Sequence, residues 1–271
     1  EKKVFVVHSS SELTEVDTEI RQHQLNIIVQ EIIPGKDSDI YQFLAFCNDR
    51  SEMLASFCCH KIRQYPPDFG IACLCESVRE PKVIDAGKKL LSNLYYKGMI
   101  ALEIKMDERT KAPVFLEANL RTSFFGELAV ASGVDFPYII YRYLVFGDEK
   151  PHNGMYEKGV KLWNIELDLG HLVRVRKEKE ITFLQWVKDL KSWKIAHTYF
   201  AFDDLKPWIV VYARFLKTII LKTFKLLAGQ EKKTSQELAK QSLISVMHLI
   251  SSSGFFGAES VLMTLAKNVQ D

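Results

Sequence analysis

The sequence predicts an α+β fold: an antiparallel sheet with flanking helices and a helical carboxy-terminal extension. Apolar runs rich in β-branched, aromatic and cysteine residues at 41–47, 52–59 and 70–75 follow one another across short polar connections, as strands joined by hairpins do. Residues 80–96 then switch to a helical period, with Val83, Ala86, Leu90, Leu91 and Leu94 on one face. Two further strand-like segments, 101–105 and 115–121, flank the polar stretch 107–111, which reads as a turn. Strands in succession with helices set apart from them indicate α+β. A chain of 271 residues, 47% of them hydrophobic, is long enough to bury a core for one or two domains.

In chain order, residues 3–7 and 27–33 are strand-like, and the polar segment 9–24 between them reads as a helix capped by Ser10 or Ser11. Pro34-Gly35 supplies a turn. Glu80-Pro81 opens the helix at 80–96, because proline is preorganised for the first helical position. Helices over 126–132 and 136–145 are separated by Ser132-Gly133. Beyond Gly154 the pattern predicts a strand at 162–167, a short helix at 182–190 and a strand near 198–202. Thr234-x-x-Glu237 is a capping-box signature for a helix running to about Ile250. These elements group into residues 1–150, an α/β extension over 151–206 and a helical tail over 207–271.

Composition excludes some functions. A net charge of +2 and the lack of any long like-charge block argue against a nucleic-acid partner. The five cysteines, Cys47, Cys58, Cys59, Cys73 and Cys75, lie inside apolar runs without disulfide spacing, which fits a reducing, cytoplasmic setting. Cys58-Cys59 and Cys73-x-Cys75 read as buried strand positions, with a thiolate zinc site as the alternative. In residues 208–227, Arg214, Lys217, Lys222 and Lys225 fall within an arc of roughly 140° on an otherwise apolar helix. Such a helix either makes peripheral contact with a membrane interface or docks on the body with its lysines in solvent. The chain opens Glu1-Lys2-Lys3 directly before a strand, as a fragment of a longer protein would.

The hairpin carries the chemistry. With its turn centred near Thr110, Glu103 pairs opposite Glu117 with Cβ atoms roughly 5 Å apart, and Asn119 shares their face. Two carboxylates so placed are unfavourable unless protonated, solvated or bridged by a cation. With an amide oxygen beside them they form a hard donor set for Mg2+ or Mn2+. The competing reading is a solvated face with an incidental Glu–Glu pair.

Upstream, Val29-Gln30-Glu31-Ile32-Ile33-Pro34-Gly35 runs into a turn followed by Asp37 and Asp39, and His60-Lys61-Ile62-Arg63-Gln64-Tyr65-Pro66-Pro67 ends a strand. In this order, and with Phe115-Leu116-Glu117-Ala118-Asn119-Leu120-Arg121, these segments resemble the ATP-grasp superfamily over residues 3–146, and most closely its predicted carboxylate-amine ligases, similar to D-aspartate ligases. The resemblance implies ATP between two lobes, with Gln30 and the backbone of Glu31, Ile32 and Ile33 at the adenine. It implies Asp37 or Asp39 at the ribose, Lys61 at the transferred phosphate, and Glu103, Glu117 and Asn119 on Mg2+. Arg121, two residues beyond Asn119, would face a carboxylate or its acyl-phosphate, work that Arg63 is placed to share. The implied reaction is ATP-dependent joining of a small carboxylate or amino acid to an amine. Asn119-Leu120-Arg121 departs from the commoner Asn-Pro-Arg. Nothing in the chain matches the family's glycine-rich loop or first-lobe lysine, so the resemblance implies a missing upstream domain and no full activity from this chain alone. The alternative is a non-catalytic nucleotide-binding or membrane-peripheral scaffold module.

Overall fold

The computed structural model describes residues 4–23, 27–67, 69–178, 182–198, 204–227 and 246–249. The chain divides into two compact units, one comprising Glu1–Pro34 with Gln230–Asp271, the other Gly35–Gly229.

In the smaller unit, β1 (Val4–Val6), α1 (Ser10–His23) and β2 (Ile27–Gln30) precede β10 (Val246–Leu249), and the sheet order is β1-β10-β2, antiparallel throughout. Ser9, and not Ser10 or Ser11, caps α1: its Oγ accepts from Glu12 N at 3.2 Å, while Glu12 Oε2 accepts from His8 N at 2.7 Å. β2 stops at Gln30, so 31–33 do not continue the strand. Val246–Leu249 is a strand where the capping-box pattern predicts helix, because these residues pair with both β1 and β2. The capping box itself lies outside the described residues.

The larger unit is built on a seven-stranded sheet, ordered β7-β6-β3-β4-β5-β8-β9. Its strands are β3 (Ile40–Cys47), β4 (Met53–Tyr65), β5 (Ile71–Ser77), β6 (Gly98–Met106), β7 (Pro113–Asn119), β8 (Lys161–Trp163) and β9 (Ile195–His197). All neighbours are antiparallel except β8 and β9. The α+β class is thus observed. β8 adds to β5 within the same sheet, so residues on both sides of 150 belong to the larger unit.

Successive side chains on a strand face opposite ways, and the apolar runs fill both sides. Leu44, Phe57, Cys59 and Ala101 pack with α3 (Gly126–Ala131) and the start of α4 (Phe136–Phe146). Their chain neighbours Phe43, Cys58 and Leu102 pack instead with Val83 and Leu91 of α2 (Pro81–Asn93). Gly87 lets α2 close on that second face: a Cβ there would stand 2.3 Å from the Phe43 ring. Helix starts follow local chemistry, with Glu80 accepting from Lys82 N, Asp135 from Tyr138 N and Thr182 from Gln185 N. The predicted strand at 162–167 is corrected. Only Lys161–Trp163 is extended, and Ile165–Glu178 is helix α5, opened by Asn164 Oδ1 accepting from Leu167 N at 3.2 Å. α6 (Phe183–Asp189) and α7 (Lys206–Leu227) follow. Among the described residues no helix is long and apolar enough to cross a membrane.

Candidate functional site

The site grows from the middle of the sheet's first face. Pairing sets Glu103 directly opposite Glu117 and Ala101 opposite Asn119, so both carboxylates and the amide project to one side. On the other flank of β6, Gln42 of β3 pairs with Glu103, and its Nε2 donates to Glu103 Oε2 at 2.5 Å. From β4, Lys61 Nζ lies 3.2 Å from Glu103 Oε1 and also donates to Gln64 Oε1 at 3.2 Å. Gln64 Nε2 in turn donates to Asp37 Oδ1 at 2.7 Å. The result is a continuous chain of polar contacts, Asp37–Gln64–Lys61–Glu103–Gln42, in which Gln64, Lys61 and Gln42 are buried, while Glu117, opposite Glu103 in the register, is exposed.

This geometry revises the charge argument. Glu103 already has a counter-ion, the Lys61 ammonium, so the carboxylate pair does not by itself require a metal. Its donors nevertheless suit a hard cation: two carboxylates and an amide oxygen on one face, with no sulfur among them. Among the described residues no group of three or more His, Cys, Asp or Glu side chains is close enough to hold a metal alone, so a cation here would draw on Asn119 and on oxygens of its ligand. The five free cysteines are all buried. Burial pushes the Cys58 thiol up to about 12 and raises Cys59, Cys73 and Cys75 as well, which disfavours the thiolate form a zinc site needs.

Of the predicted residues, Lys61 and Glu103 meet directly, Asp37 reaches Lys61 through Gln64, and Glu117 and Asn119 join by register. Asp39 does not: its Oδ2 accepts from Lys36 N at 2.7 Å and closes a single 3-10 turn, Asp37–Asp39. Arg121 lies past the end of β7 in a bend, exposed, with its guanidinium donating to Thr122 O at 3.3 Å. The two-residue step from Asn119 assumes a strand that has already stopped. Gln30, Glu31, Ile32 and Ile33 belong to the smaller unit, at and just after the end of β2.

Arg63 is engaged elsewhere. Its guanidinium makes two 2.7 Å bonds to Asp168 and one of 2.8 Å to Asp189, and lies over the Trp186 ring at 5.6 Å. Register shifts on either side of Arg63 explain this: Lys61 pairs with Cys75, Arg63 with Leu74 and Gln64 with Ala72. Cys75 and Leu74 are chain neighbours and face opposite ways, so Arg63 points away from Lys61. Gln42 and Gln64 were not singled out by the sequence. Gln42 was readable one residue from Tyr41, as a polar position inside an apolar strand.

The fold and site thus define an α+β domain whose open sheet face carries a lysine, three amides and converging carboxylates. No protein-family profile matches the chain, and no curated protein matches it. Among solved structures it is similar to N5-carboxyaminoimidazole synthetase from Staphylococcus aureus complexed with ADP, at 12% identity over 48% of this chain and 42% of that one, TM-score 0.31. It is also similar to L-amino acid ligase from Bacillus licheniformis, at 12% identity over 53% and 39%, TM-score 0.35. A third is pyruvate carboxylase from Rhizobium etli, at 11% over 56% and 15%, TM-score 0.33. The chain spans about two fifths of the length of the first two. Likeness at this level leaves the function to the site itself.

Proposed function

We propose that the chain is the phosphate- and metal-gripping part of an ATP-grasp carboxylate-amine ligase, one that activates a small carboxylate as its acyl-phosphate and passes it to an amine. The observation that carries the reading is the Glu103–Glu117 pair on the face where Lys61 and Asp37 converge. Glu103, Glu117 and Asn119 would hold Mg2+ or Mn2+, which when bound neutralises charge on the β- and γ-phosphate oxygens. Lys61, released from Glu103, would turn its ammonium to the transferred phosphate. Asp37 would accept from the ribose hydroxyls, since Asp39 is committed to its turn. Arg121 is exposed and so accessible to the carboxylate or its acyl-phosphate.

The test is Mn2+–ATP binding to the chain, followed by electron paramagnetic resonance. Glu117→Gln should weaken it at least about tenfold, the scale of losing one charged ligand contact. Unchanged affinity in that variant sinks the reading. In the complete protein the same substitution should abolish ADP release in the presence of an amino acid and a second carboxylate.

A second reading concerns α7, which carries five cations and no acid. Ile209, Val210 and Leu216 are exposed on it, as is Lys217. Apolar and basic side chains exposed together suit an anionic membrane surface, which favours a peripheral attachment through this helix. Co-sedimentation with anionic vesicles should be lost when the chain ends at Pro207, and equal binding by both lengths removes the idea.

A further inference from the structure

Gln64 has no part in the roles above, yet it is the most buried member of the cluster, 1% exposed. Its amide spans two residues of opposite charge, accepting from Lys61 Nζ at 3.2 Å and donating to Asp37 Oδ1 at 2.7 Å. Turning that amide by half a revolution would set its NH2 against the ammonium and its oxygen against the carboxylate, so the charges permit one orientation. The backbone beneath is pinned as well. Gln64 O accepts from His171 Nδ1 at 2.8 Å, and the preceding residue, Arg63, is clamped by Asp168.

The distances at Lys61 show what this achieves. Lys61 Nζ stands 3.2 Å from each carboxylate oxygen of Glu103 and 3.2 Å from Gln64 Oε1, so one ammonium is shared between the carboxylate and the amide. We propose that Gln64 is a positioning residue: it fixes where the Lys61 ammonium stands between Glu103 and its own amide, in place for a γ-phosphate, and ties that position to Asp37. The proposal rests on the nucleotide-site reading above. Its consequence is specific. Gln64 contributes to the preference for ATP over ADP, because it acts through the lysine that meets the phosphate ADP lacks.

Gln64→Met removes both hydrogen bonds at similar volume, and Gln64→Asn keeps an amide but withdraws it by one methylene. Calorimetric titration of the whole chain with Mg-ATP and Mg-ADP should show the ATP-to-ADP affinity ratio falling about tenfold in each, the factor set by a hydrogen bond to a charged group. A merely structural lesion would weaken both nucleotides alike and leave the ratio unmoved. In a Lys61→Met background, Gln64→Met should change the ratio no further. An unchanged ratio in the single variants, or an added loss in the double, overturns the proposal while the nucleotide reading stands. Absence of nucleotide binding by the parent chain overturns both.

Discussion

Two residues apart on β4, Lys61 and Arg63 carry the same charge into opposite surroundings. Arg63 reaches Asp168 through two 2.7 Å bonds, in a pair whose side chains are 4% and 0% exposed, with Asp189 and the Trp186 carbonyl satisfying NH1. Lys61 sits at 3.2 Å from its carboxylate, and Glu103 keeps 21% of its side chain open. The first cluster is closed and geometrically complete, so it reads as a pin joining β4 to α5 and α6. The second is looser and borders an open face, so its members can exchange partners. Charge and chain position do not separate the two roles, but the register shifts beside Arg63 do.

The largest expected effect tests the pin. Asp168→Ala takes away the two-bond partner of the buried Arg63 guanidinium, leaving it Asp189 alone as counter-ion, and should cost about 3 kcal/mol in urea unfolding. Lys61→Met, which leaves Glu103 with Gln42 and solvent and takes one donor from the Gln64 amide oxygen, should cost less, about 1–2 kcal/mol. If the two substitutions destabilise equally, the contrast between clusters is wrong. Next comes the closed face under α2. Gly87→Ala gains roughly 1 kcal/mol of helix propensity but drives a methyl into Phe43, which is fully buried and has nowhere to move. Overpacking of this kind costs about 1–3 kcal/mol, so the net change should be destabilising by thermal unfolding. A stabilised variant would show that this face packs less tightly than the 2.3 Å approach indicates.

The open cluster gives the third prediction, with opposite signs for two ligands. Because Lys61 serves as the counter-ion of Glu103, Lys61→Met should raise affinity for free Mn2+ about tenfold, roughly 1.4 kcal/mol, while lowering affinity for ATP. Paramagnetic resonance measures the first and calorimetry the second. If both fall together, Lys61 is not competing with a cation for Glu103.

How much of this was legible follows from the same physics. The hairpin and its Glu103–Glu117 pairing could be read because alternation and a polar turn are local signals. The extended β3, β4 and β5 and the helices α2, α3, α4 and α6 could be read for the same reason. The break from β8 into α5 carried a local sign that periodicity overrode: Asn164 as cap, with Glu166 and Asp168 in the first turn. Nothing local distinguished Arg63 from Lys61. Strict alternation puts both on one face, and only pairing with β5 reveals the bulges that part them. Gln64 was equally silent, since its importance comes from Asp37 and Lys61 meeting on either side of one amide.

A third pair on the same strand is more exposed than either cluster and should give the smallest effect. His60 Nε2 lies 3.4 Å from Glu76 Oε2, with side chains 20% and 29% exposed, less buried than the Arg63 pair. The hydrogen bond from His60, aided by the charge of Lys161, holds the Glu76 carboxyl below its ordinary value of 4.5. A depressed carboxylate stabilises the fold in full above the unfolded value and loses that contribution as pH falls through the folded one. The acid limb of stability should therefore steepen below about pH 4.5 in the parent and flatten in Glu76→Gln, by less than about 1 kcal/mol given the solvent access. Urea midpoints measured from neutral to acid pH would decide it: parallel limbs would mean the pair contributes nothing, and a loss as large as that of Asp168→Ala would mean it is a second pin.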